Sequence, residues 1–196
     1  MNMTNEKFLQ MIFNGYVTCY RKNNWHTTAK YHDMTHRELQ FFMQLGESLG
    51  FIVRREMEWQ YPRDLCWCET HESIKPFLYL ERENLDNRAE HTINKMLNPD
   101  NSKDIPILVC VFGWIRPNTL DKMKSLIRQS HLVDQSFLIV SWVGEDKDTV
   151  NDVEGWSLCD GQEAVRTAKA ETDDAGYWYI KFNNSWFIVQ QKVLAR

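Results

Sequence analysis

No apolar run in this sequence approaches the roughly 18 residues that a membrane-spanning helix needs. The N-terminal stretch MNMTNEKFLQMIFNG lacks the basic segment, clean apolar run and small-residue cleavage site of a secretory signal. The five cysteines (Cys19, Cys66, Cys68, Cys110, Cys159) are an odd number with no Cys-x-x-Cys spacing, which argues against a disulfide framework. Reduced, buried thiols are expected. There is no internal repeat or low-complexity tract, and the composition excludes a collagen, a coiled coil or a disordered tail. Positive charge is also in short supply. The 27 acidic residues outnumber the 23 basic ones, giving a net charge of −4, and the chain has no overall field that would hold it to nucleic acid by charge alone. These absences predict an intracellular, cytoplasmic protein with no membrane partner.

What is present fits one globular domain: 196 residues, 43% hydrophobic and 26% charged. The charge is uneven. Residues 143–176 hold 10 acids against 3 bases, which leaves 17 acids against 20 bases elsewhere: a mildly basic body with an acidic flank. His32 and His36, four apart with Asp33 adjacent, invite a metal reading, but nothing nearby completes a four-ligand set.

The first 33 residues read as an N-terminal extension, with KFLQMIFNGYVTCY a short helix leading into a strand and RKNNWHTTAKYHD a polar loop. Thr35 and Glu38 have capping-box spacing, and Leu39, Phe42, Met43, Gly46 and Leu49 recur at helical period up to Gly50, predicting a helix over 36–49. Strands follow at 51–59, 64–68 and 77–83. Asp86 opens a helix ending near Asn98-Pro99, 105–112 is a buried strand, Asn118 caps another helix, and 136–143 is a second buried strand. Residues 144–175 read as an acidic surface loop with a helical piece near 162–170, and Tyr177–Gln191 as a β-hairpin turning at Asn183-Asn184. The order helix, three strands, helix, strand, helix, strand implies an α/β domain over 34–143 with a mixed central sheet, antiparallel first and then parallel through helical crossovers. Residues 144–196 pack on the same domain.

Acidic side chains favour turns, yet Asp64 opens one strand and Glu81 and Glu83 end the next. Glu81 and Glu83, at i and i+2, share a face, with Arg82 opposite. If the two strands are neighbours, Asp64 faces that pair. Carboxylates crowded in this way repel one another unless a cation or a proton lies between them, and hard oxygen donors suit Mg²⁺ or Mn²⁺. The Glu-x-Glu spacing alone is weak, since 14 glutamates give about one such pair by chance, and Glu56-x-Glu58 is a second. The same acids also fit solvated strand ends paired with Arg54, Arg55, Arg63 or Arg82.

The order αβββαβαβ, with Asp64 before a strand ending Glu81-Arg82-Glu83, resembles the PD-(D/E)xK nuclease superfamily of restriction-endonuclease-like proteins. Glu83 stands where that signature has Lys, a variation shared with BamHI-type restriction enzymes, which have the same Asp to Glu-x-Glu spacing. The resemblance covers about residues 35–143. It implies a metal-dependent endonuclease that hydrolyses DNA phosphodiester bonds. Asp64 and Glu81 would hold a Mg²⁺ or Mn²⁺, Glu83 would orient or deprotonate the attacking water, and Glu47, on the helix before the first strand, would help hold metal. Arg54, Arg55, Arg63, Lys75, Arg82 and Arg88 are the bases placed to meet the nucleic acid. A chain of this size would need a homodimer to cut both strands, and the C-terminal hairpin with Trp178, Trp186 and Phe187 is a candidate face. The rival readings are a nuclease-fold protein without activity that binds DNA or protein, and an interaction module whose acidic flank meets a basic partner.

Overall fold

A computed structural model describes residues 3–23, 31–55, 64–72, 76–83, 88–97, 106–130, 135–143, 152–172, 174, 178–182 and 187–191. The elements are α1 (Asn5–Asn23), α2 (Tyr31–Ser48), β1 (Ile52–Arg55), β2 (Leu65–Cys68), β3 (Leu78–Glu83), α3 (Ala89–Leu97), β4 (Leu108–Trp114), α4 (Pro117–Gln129), β5 (Ser136–Val143), β6 (Asp152–Cys159), β7 (Gln162–Thr172), β8 (Trp178–Phe182) and β9 (Phe187–Gln191). The chain is α/β, with a mixed sheet flanked by helices. Among the described residues the sheet has nine strands, in the order β1 to β8 with β9 also on β7. The β3–β4 and β4–β5 pairs are parallel, joined through α3 and α4, and every other pair is antiparallel. No described helix is long and apolar enough to cross a membrane.

Period-2 alternation sorts the central strands between two cores. Leu78, Leu80, Leu108, Cys110, Phe112, Leu138 and Val140 face α1 and α2, while Tyr79, Val109, Val111, Phe137 and Ile139 face α3 and α4. Both faces are covered, which is why the strands read as continuous apolar runs.

Residues 5–23 are not a short helix running into a strand. They form one helix, because Phe8, Leu9, Ile12, Phe13, Tyr16 and Val17 recur at the 3.6-residue period, and all six are buried in the core shared with the sheet. Burial of each large apolar side chain contributes about 1.5–3 kcal/mol, so α1 is a layer of the domain. The second helix begins at Tyr31, before the expected capping box, and Glu38 lies inside it. In the same way α4 starts at Pro117, with Arg116 at the cap position and Asn118 already in the first turn. Proline's fixed φ and missing N–H suit the first helical position.

The acidic stretch after β5 is strand, and no helix forms near 162–170. Strands β6 and β7 make a long antiparallel hairpin about Asp160-Gly161, whose φ values of 50° and 74° are the positive pair that a two-residue hairpin turn demands. Two of its five acids turn to α4: Glu154 pairs with Lys124 (2.5 Å) and Glu163 with Arg128 (2.6 Å). The expected C-terminal hairpin does not form either. Strands β8 and β9 both pair with β7, at Ala168–Thr172 and Gln162–Val165, so they run in succession along one edge. Asn183 and Asn184 lie outside the described residues, and so do residues 56–59 of the expected first strand. Cys66, Cys68, Cys110 and Cys159 are free and buried.

The burial of α1 gives a test. Phe13→Ala should cost about 3–5 kcal/mol in urea unfolding, whereas Lys7→Ala, on the exposed side of the same helix, should change stability by less than about 0.5 kcal/mol.

Candidate functional site

Strand β3 begins Leu78-Tyr79-Leu80 and ends Glu81-Arg82-Glu83, and none of the three charged residues is more than 9% exposed. Three adjacent buried charges are costly unless each finds a partner. The ladder with β2 ends at Leu65–Leu80, while the ladder with β4 continues to Glu83–Gly113. The β2-side edge beyond Leu80 is served by Asp64, whose Oδ2 accepts a hydrogen bond from the Arg82 N–H at 2.6 Å. The Asp64 N–H in turn lies 3.4 Å from Glu81 Oε2. Asp64 and Glu81 are thus neighbours where the described β2–β3 ladder ends.

Alternation sends the remaining contacts to opposite layers. On the α3 side, Lys95 Nζ donates to Glu81 Oε1 at 2.5 Å, and the buried Thr92 hydroxyl donates to Glu83 Oε2. Thr92 and Lys95 are three apart, on one face of α3. On the other side, Arg82 Nε donates to Glu38 Oε2 at 2.7 Å, and Tyr16 on α1 donates its hydroxyl to Glu38 Oε1 at 2.7 Å. Gly113 closes the β4 side. With φ at +155°, it lets β4 approach so closely that a Cβ there would lie 2.1 Å from the Glu83 carbonyl oxygen.

The node holds four carboxylates (Glu38, Asp64, Glu81, Glu83) against two cations (Arg82, Lys95), a surplus of two negative charges when all are ionised. Glu81 registers it. Burial first, and then the Asp64 charge, push its carboxyl up to about 7, although Lys95 and the Asp64 N–H pull the other way. Burial pushes the Cys68, Cys110 and Cys159 thiols up, away from thiolate at neutral pH.

The sequence-predicted acids separate into two groups. Asp64 and Glu81 are neighbours. Glu83 shares the Glu81 face but is engaged by Thr92, and Glu47 is exposed on α2, which lies over the opposite face of the sheet. Among the described residues no three His, Cys, Asp or Glu side chains form a metal-binding group, so the expected four-acid cluster is not assembled there. Two adjoining carboxylates with uncompensated charge nevertheless fit Mg²⁺ or Mn²⁺, which take one or two carboxylates and keep several waters. Asp64 and Glu81 are the residues that could hold such an ion.

Among the expected phosphate-binding bases, Arg82 is a correction: its side chain is 4% exposed and committed to Glu38. Arg54 donates to the His71 carbonyl at 2.6 Å, Arg55 and Arg88 are exposed, and Arg63 and Lys75 lie outside the described residues. Tyr16, Glu38, Thr92 and Lys95 were not anticipated. For Glu38 the signal was its place in the four-residue series Glu38, Phe42, Gly46, all buried on one helix stripe. For Thr92 and Lys95 it was their shared face. No family model, curated protein or solved structure matches the chain.

Between about pH 4.5 and pH 7 the folded chain keeps a proton on Glu81 that the unfolded chain has released, so stability should fall as pH rises through that window. Glu81→Gln removes this loss. Urea unfolding without metal at about pH 5 and about pH 8 should show the wild type losing about 1–3 kcal/mol more than the variant.

Proposed function

We propose that the protein is a metal-dependent nuclease of the restriction-endonuclease-like kind that hydrolyses DNA phosphodiester bonds inside the cell. The observation that carries this reading is the Asp64 main-chain N–H 3.4 Å from Glu81 Oε2 where the described β2–β3 ladder ends, with the Asp64 charge acting on the Glu81 carboxyl and Lys95 against it. A Mg²⁺ or Mn²⁺ held there would neutralise charge on a phosphoryl oxygen.

The chain's own groups do the rest. Asp64, held by the Arg82 N–H, and Glu81, held by Lys95, would offer the hard oxygens. Lys95 orients the attacking water and offsets the charge that grows on the phosphoryl group as the new phosphorus–oxygen bond forms and the ester bond breaks. In sequence terms Glu83 holds the position of the signature Lys. On this reading Lys95, on α3 against Glu81, would supply that cation, and Glu83, tied to Thr92, would anchor the helix. Exposed Arg55 and Arg88 meet the DNA backbone, and a homodimer would be needed to cut both strands.

One observation favours a second reading. Glu81, Arg82 and Glu83 each already have a protein partner. Side chains already engaged in this way suit a nuclease-fold protein that binds DNA or protein without cutting.

Nicking of supercoiled plasmid separates the two. With Mn²⁺ the wild type should nick. Asp64→Asn and Glu81→Gln should abolish nicking while remaining folded, and Lys95→Met should slow it by about 100-fold or more. Cleavage that persists in Asp64→Asn would belong to a contaminant, and salt-sensitive DNA binding without any nicking would favour the second reading. Because metal and proton compete for Glu81, Mn²⁺ should also raise the melting temperature more at about pH 8 than at about pH 5.5.

A further inference from the structure

The Asp64 carboxylate is connected to the helical layer on the far side of the sheet. Tyr16 is fully buried, with its ring stacked on Phe42 (5.8 Å between centroids, 11° between planes) and lying beside Phe112. Packed in this way, the ring directs its hydroxyl to Glu38 Oε1. Glu38 Oε2 accepts from Arg82 Nε, and the two side chains are 1% and 4% exposed. Neither can swing away without stranding a charge out of water. The backbone of the same Arg82 donates its N–H to Asp64 Oδ2 at 2.6 Å, and its Nη1 donates to the Glu83 carbonyl at 3.2 Å.

Position in the sheet gives this series its consequence. At Arg82 the strand is laddered to β4 on one side only, because the described β2–β3 ladder has ended at Leu80. Among the described residues, β4 and the anchored Arg82 side chain are what hold the Arg82 N–H in its direction toward Asp64.

We infer that Tyr16 and Glu38 are positioning residues for the Asp64 carboxylate, acting through Arg82. They hold its side chain against α1 and α2 and so aim its main-chain N–H at Asp64. This rests on the reading of Asp64 as a metal ligand, and it makes both helices working parts of the site although neither touches metal or phosphate.

The test uses the full chain with Tyr16→Phe, which keeps the ring and removes only the hydroxyl, and Glu38→Gln, which keeps the shape and removes the charge. Amide hydrogen exchange at Arg82 is measured without metal, and Mn²⁺ affinity by calorimetry. In both variants the Arg82 amide should exchange about tenfold faster while the Leu78–Leu80 amides keep their protection, and Mn²⁺ should bind about tenfold more weakly. An unchanged Arg82 amide in a folded Tyr16→Phe protein overturns the inference, and so does a uniform loss of protection along β3, which marks a merely structural role. Faster Arg82 exchange in a protein whose wild type binds no Mn²⁺ upholds the positioning route and overturns the metal reading, so the two fail separately.

Discussion

The ion pair between Glu38 and Arg82 is the constraint on which the rest of the site depends. A guanidinium and a carboxylate almost wholly removed from water gain little net stability from their attraction, because desolvation offsets it. Removing one partner is another matter, since the survivor is left charged in an apolar layer, at a cost of about 3–5 kcal/mol. The pair therefore fixes geometry more than it adds stability. It ties α2 to the end of β3, Tyr16 ties α1 to the same carboxylate, and the last residues of β3 have little freedom to fray.

That pinning explains how charges can end a strand within a sheet covered on both faces. Glu81 and Glu83 turn toward α3 and Arg82 toward α2, so each helical layer neutralises what faces it. The alternation was legible in the sequence, as were strands at 64–68, 77–83, 105–112 and 136–143, because short apolar runs bounded by turn residues have few other uses. The partners of the charges were not legible. Glu38 sits three residues after Thr35, and a local capping pattern accounted for it; only the sheet beneath shows that it reaches Arg82, 44 residues away in sequence. Lys95 is one of many helix-surface lysines until β3 is placed under it.

The two larger misreadings have physical causes of the same kind. In α1, the aromatic and β-branched residues Tyr16, Val17 and Thr18 carry strand propensity, and tertiary burial of the helical stripe Phe8–Val17 overrides it. In the acidic stretch, Glu154 and Glu163 look like solvated loop residues, yet α4 supplies Lys124 and Arg128 across the layer, and Trp156 Nε1 adds a hydrogen bond to Glu163 at 3.1 Å. The Asp160-Gly161 turn was the available signal, and the acid count obscured it.

The same geometry fixes where a ligand can reach the carboxylates. Helix α3 covers Glu81 and Glu83 on one face, α2 covers Arg82 on the other, and β4 is laddered along the far edge with only the hydrogen of Gly113 between it and Glu83. Among the described residues the remaining approach is the β2-side seam beyond Leu80, where Asp64 stands in place of a strand partner. A group that binds there meets Asp64 and Glu81 together and competes with the Arg82 N–H and Lys95 for their oxygens. The affinity of the seam is then a difference between two sets of contacts, both of which the chain already makes. On the proposed reading a hard dication would suit that exchange better than a neutral ligand, because it would supply to both carboxylates the charge that Lys95 supplies to one.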